Sequence, residues 1–162
     1  MHVFSEMVKL SRTEFERNLT GLSDEDARKR LEPMNCISWI IAHVANQHHA
    51  FFIALPGGRK VEERYRIYGF GNQPAQPPLE EALALWQEAC RDSDAWLESA
   101  TDEDMMTVPE GMRNGENMGT LMVRCIFHTW DHLGEISSIR QIQGHNPPQF
   151  VDMHQWLYNR KI

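Results

Sequence analysis

Residues 120–144 read TLMVRCIFHTWDHLGEISSIRQIQG, and the spacing of their apolar side chains decides the fold. Leu121, Val123, Ile126, Phe127, Trp130, Leu133, Ile136 and Ile142 recur at helical intervals and leave little of such a helix unburied. Gly144, followed by Asn146-Pro147-Pro148, supplies a C-terminal stop. The stretch therefore predicts one long helix from about Thr120 to Gln143. Along one strip of it lie Cys125, His128, His132, Glu135 and Ile139, which places two histidines one turn apart facing inward or into a cleft.

Three further main helices and a short connecting one are expected upstream. Val3, Met7, Leu10, Glu14 or Phe15, and Leu19 mark an amphipathic helix over residues 3–19. Ser23, with Asp26 three residues on, opens a short connecting helix that ends before Pro33. A second long helix, apolar nearly all round, is predicted with Ser38 as N-cap, running through WIIAHVANQHHAFFIAL to the stop at Pro56-Gly57-Gly58. Residues 56–78 carry prolines, glycines and aromatics without a steady period and read as a long loop. Residues 79–100 return to a helical pattern with Leu79, Leu83, Trp86, Cys90, Ala95 and Leu97 on one face. TDEDMM then reads as an acidic turn, VPEGMRNGENM as a loop or small hairpin, and FVDMHQWLYNRKI as a final half-turn or docking helix. Four main helices without paired strands predict an all-α helical bundle in one domain spanning residues 1–162.

Composition narrows the function classes. A net charge of −7 with scattered Lys and Arg disfavours capture of phosphate backbones, so nucleic acid is not expected as a partner. No apolar run approaches the roughly 20 residues that span a bilayer, and MHVFSEMVKLSR lacks the plan of a signal peptide, so no membrane partner and a cytoplasmic location are expected. Cys36, Cys90 and Cys125 are far apart and odd in number, which indicates neither a disulfide framework nor a thiolate zinc site. They read as small buried residues in a reducing compartment.

His-x-x-x-His lets two imidazoles reach one divalent ion, but in a chain with eight histidines the spacing alone is weak evidence. The apolar setting of WIIAHVANQHH makes His43 the candidate third ligand. His48 and His49 point elsewhere around that helix and are expected to be surface or helix-end polar residues.

SWIIAHVA at 38–45 and HTWDHLGEISSIRQIQG at 128–144 resemble the corresponding segments of the DinB-like superfamily of four-helix-bundle metalloproteins. Its relatives include thiol-dependent S-transferases and a mycothiol-dependent maleylpyruvate isomerase. The resemblance covers nearly the full chain. It implies that His43, His128 and His132 ligate a divalent metal ion, usually zinc or nickel, and that the chemistry is thiol activation and transfer to a small electrophile, or isomerisation. It also implies a small-molecule substrate, including a low-molecular-weight thiol, and a homodimer. Where many relatives read His-Arg-Gly-Gln, this chain has His132-Leu133-Gly134-Glu135. Glu135 is thus a candidate acceptor behind a ligand, a weak fourth ligand, a general base toward water, or a charged residue at the bundle rim. Asp131 is expected to be exposed, and Trp39, Trp130 and the loop from Tyr65 to Phe70 either wall a substrate pocket or belong to the core. Two functional classes stand at this point: a metal-dependent S-transferase or hydrolase, and a non-catalytic bundle that binds a ligand or partner.

Overall fold

The computed structural model describes residues 1–112 and 114–148. The expected segment FVDMHQWLYNRKI falls outside them. All regular structure among the described residues is helical, without strands, and comprises seven α-helices, where four main helices and one short connecting helix are expected. They are α1 (Val3–Leu19), α2 (Asp24–Arg28), α3 (Ile37–His49), α4 (Glu63–Arg66), α5 (Leu79–Ser99), α6 (Asp102–Met106) and α7 (Met118–Ile142). A π-helical turn, Ala50–Ala54, continues α3. None of these helices is long and apolar enough to cross a membrane.

The extra helices are short pieces inside expected connections. α4 lies within the 56–78 loop. TDEDMM forms α6 because Thr101 and Asp104 cap it reciprocally: Thr101 Oγ1 accepts from the Asp104 amide at 3.2 Å and Asp104 Oδ2 accepts from the Thr101 amide at 2.8 Å. VPEGMRNGENM has no strand among its described residues.

The long helices pack around α3. Its flanks meet α5 and α7, while α1 lies against α7. Eleven of the thirteen α3 residues are buried, the burial that its near-continuous apolar sequence requires. Its cap differs from expectation. Cys36, not Ser38, precedes the first turn, and the buried Ser38 hydroxyl faces Cys36 Sγ at 3.4 Å instead of a backbone amide. Beyond His49 the ladder widens, with the Leu55 amide bonding the Ala50 carbonyl at 3.0 Å. This turn places Phe52 in a second core cluster with Val8, Leu97, Met105, Met122, Cys125 and Ile126, separate from the main cluster around Phe15, Ile40, Ile41 and Trp86.

Two helices depart in part from the face their apolar residues mark, although Phe15 and Leu19 on α1 and Leu121, Ile126, Leu133 and Ile136 on α7 are buried as expected. On α1, Val3, Met7 and Leu10 are only half-buried, whereas Ser11, Arg12, Glu14, Phe15 and Asn18 are buried. Polar side chains are tolerated there because they are paired: Asn18 Nδ2 donates to the Leu133 carbonyl at 3.1 Å and to Ser137 Oγ at 2.6 Å, tying α1 to α7. On α7, Phe127 and Ile142 are about two-thirds exposed, at 69% and 66%, because their positions fall on the outer stripe with Arg124, Asp131 and Ser138.

The end of α7 follows from Gly144. With φ +87° it lets its own amide bond the Gln141 carbonyl at 3.0 Å and the His145 amide bond the Arg140 carbonyl at 2.9 Å, a Schellman closure. Gly144→Ala is expected to destabilise the protein by about 1 kcal/mol, since an L side chain is strained at that φ. Urea denaturation should show the lower midpoint with an unchanged slope; an unaltered midpoint would refute this role for the cap.

Candidate metal centre

His43 projects from the middle of α3, and Trp39, one turn earlier, stacks on its ring at 4.7 Å with an 11° interplanar angle. His43 Nδ1 lies 2.7 Å from the Tyr68 carbonyl oxygen. A carbonyl only accepts, so Nδ1 carries the hydrogen and Nε2 keeps its lone pair. The segment that carries this carbonyl is anchored on both sides, since Tyr65 Oη donates to the Leu85 carbonyl at 3.3 Å, Tyr68 Oη donates to Glu81 at 3.2 Å, and both rings are buried. The loop between α3 and α5 therefore orients an imidazole through its backbone.

His128 and His132 reach the same place from α7. His128 Nε2 is 3.0 Å from His43 Nε2 and 3.2 Å from His132 Nε2. His132 Nδ1 lies 2.8 Å from Glu135 Oε2, so this imidazole also carries its hydrogen on Nδ1 and turns a lone pair inward. Two inward lone pairs thus face a third nitrogen. One hydrogen on His128 Nε2 can serve only one of them. A cation answers all three, and a nitrogen of each residue lies within 4.8 Å of the others. Imidazole nitrogens about 2.0–2.1 Å from one ion are about 3.0–3.4 Å apart, which the two short separations match. The residues fit a divalent metal ion, and His43, His128 and His132 could hold one. His128 Nδ1 is buried without a partner, unlike the other two outer nitrogens.

Burial also favours neutral rings. It pushes His43 below the ordinary imidazole value, only partly offset by the bond to Tyr68, and it pushes His128 down to about 3, reinforced by the neighbouring His132 and His43. Neutral imidazole is the form that donates to a metal.

The remaining expected residues border the triad or lie away from it. Glu135 stands behind His132 as an acceptor and is not in the group that converges on one point. Asp131 is exposed. Trp39 and Tyr68 border the triad, Tyr65 is in the core, and Phe70 is 99% exposed. Cys125 is fully buried with its thiol pushed up to about 12 by that burial, and it stays outside the triad. His48 and His49 do lie in the last turn of α3, but the expectation of a surface position is overturned, since both are buried. His49 stacks on Tyr65 at 4.3 Å, and its Nε2 is 3.4 Å from Glu62. His48 sits between Arg12 and Thr129, and burial with the Arg12 charge drives it well below the ordinary imidazole value. The apolar helix that singles out His43 carries the same signal for both.

These depressed values fix a sign. The folded protein resists protonating His43, His48 and His128 while the unfolded chain takes up protons near pH 6.5, so this contribution is complete above that pH. Metal-free protein should lose stability as pH falls from about 6.5 toward 3. Denaturation midpoints across that range would check it, and a flat profile would contradict it.

No curated protein matches the chain. The profile of the DinB superfamily matches residues 7–136, a span that runs from within α1 through the two α7 histidines. The chain belongs to the DinB superfamily.

Proposed function

We propose that this protein is a metal-dependent enzyme on a four-helix bundle of the DinB type, activating a thiol or water for attack on a small electrophile. The observation that supports this most is the convergence of His43, His128 and His132 Nε2 atoms from two helices, with the outer nitrogens of His43 and His132 already bonded. Among the described residues the group contains no cysteine or carboxylate, a ligand set of the kind that leaves a coordination position for a small molecule. The family resemblance favours zinc or nickel. Such an ion supplies Lewis acidity that eases loss of a proton from a thiol or water.

The chain's own residues would do the rest. The Tyr68 carbonyl and Glu135 fix the tautomers of His43 and His132, and Trp39 packs flat against His43. Glu135 Oε2 is occupied by His132; Oε1 is then the oxygen that would accept the nucleophile's proton. Glu135 would therefore both position a ligand and take the proton.

Protein prepared without an affinity tag or chelator should contain close to one equivalent of zinc or nickel by elemental mass spectrometry, and His43→Ala should abolish it. Absence of metal in the unsubstituted protein, with no effect of His43→Ala, would defeat the metal reading and leave a non-catalytic ligand- or partner-binding bundle. Glu135 separates the two roles further. Glu135→Gln should retain metal and lose about 10²–10³-fold in turnover of a thiol with an electrophile, whereas Glu135→Ala should also weaken metal binding by about 10–100-fold. Full turnover by Glu135→Gln would remove Glu135 as the proton acceptor.

A further inference from the structure

A second polar cluster is buried beside the triad. Arg12 is 5% exposed, and its donors are distributed over α3 and α5 from its place on α1. Nη2 donates to Ser93 Oγ at 2.6 Å, and Nη1 donates to Asp94 Oδ1 at 2.9 Å and to the Cys90 carbonyl at 3.3 Å. Nε donates to His48 Nδ1 at 3.3 Å. The hydrogens of the next two groups follow from this. A guanidinium only donates, so His48 Nδ1 is an acceptor and the imidazole hydrogen is on Nε2. His48 Nε2 faces Thr129 Oγ1 at 3.4 Å, and Thr129 Oγ1 donates its own hydrogen to the Cys125 carbonyl at 2.9 Å. Donation runs one way, from Arg12 through His48 and Thr129 to the α7 backbone. Trp86 at 4.9 Å and Phe52 at 5.4 Å lie edge-on to the His48 ring and hold its plane.

The placement of this chain of bonds is specific. His48 is five residues beyond His43 on α3, and Thr129 directly follows His128 on α7. Two cross-links therefore lie side by side between the same helices, His43 to His128 and His48 to Thr129. Arg12 extends the second one to α1 and α5. His48 and Thr129 have no solvent exposure, so a mismatch of register between α3 and α7 would leave buried polar groups unpaired. A buried guanidinium is also costly for stability alone, as an apolar replacement of similar volume is often no worse.

We propose that Arg12, His48 and Thr129 are positioning residues of the metal centre, fixing α3 against α7 so that His43 Nε2 meets His128 Nε2. This rests on reading the triad as a metal site. Its effect is exerted through register, since none of the three belongs to the converging group.

Titration of the metal-free full chain with Co²⁺, followed by visible absorption and alongside urea denaturation, tests it. The unsubstituted protein should bind with the absorption of a histidine-ligated ion. His48→Phe and Thr129→Val should bind at least about tenfold more weakly with a shifted band. His48→Gln, whose amide can accept from Arg12 and donate to Thr129, should recover binding to within about threefold. Failure of the unsubstituted protein to bind would defeat the metal reading itself. Binding by the unsubstituted protein together with unchanged affinity and spectrum in Thr129→Val would overturn this proposal, even if the variant were less stable. Should His48→Phe not fold, Thr129→Val and His48→Gln decide between these outcomes.

Discussion

Three imidazole nitrogens facing one another across the α3–α7 interface impose the constraint on which the remaining arrangement depends. Lone pairs about 3 Å apart repel unless a proton or a cation lies between them, and burial removes the water that would otherwise screen them. Holding His43 and His132 with Nε2 inward requires an acceptor behind each. The Tyr68 carbonyl and Glu135 fill those places, one from a loop and one from the next turn of α7. The loop helix α4, the buried tyrosines and their bonds to α5 are thus explained by one backbone oxygen delivered to one imidazole.

The same interface accounts for the polar character of the interior. α3 is buried on nearly every side, so each of its polar side chains needs a partner inside the protein. His43 and His48 meet that need at the triad and in the Arg12–Thr129 chain of bonds, while His49 stacks on Tyr65 and meets Glu62 through Nε2, its buried Nδ1 having no hydrogen-bond partner. The histidines of α3 consequently occupy three distinct environments on one helix. Of these, only the first belongs to a group that could hold a metal ion among the described residues.

Much of this is legible in the sequence where a pattern has one physical cause. The α5 and α7 boundaries follow from apolar spacing and, for α7, from Gly144, and they differ from expectation by no more than about two residues. The triad is legible because His43 stands in an apolar run and His128 and His132 share a strip of α7. Other features lack such a cause in single residues. The buried face of α1 carries Ser11, Arg12 and Asn18 beside Val8, Phe15 and Leu19, so hydrophobic spacing finds only part of it, and the partners Leu133, Ser137 and His48 explain the polar part. The acceptor for His43 is a backbone carbonyl, which any residue type would provide. Histidine's general avoidance of interiors suggests exposure for His48 and His49, yet the apolar run that overrides it for His43 overrides it for them as well. The π-helical turn shifts the register after His49, and nothing in Ala50-Phe51-Phe52 marks it.

X-ray absorption by the protein loaded with one equivalent of zinc tests the central claim most directly. A site built on His43, His128 and His132 predicts three histidine nitrogens at about 2.0–2.1 Å with the remaining coordination from a light non-protein atom, and no such zinc signal from His43→Ala. A sulfur neighbour at about 2.3 Å, or imidazole scattering indifferent to His43→Ala, would contradict it.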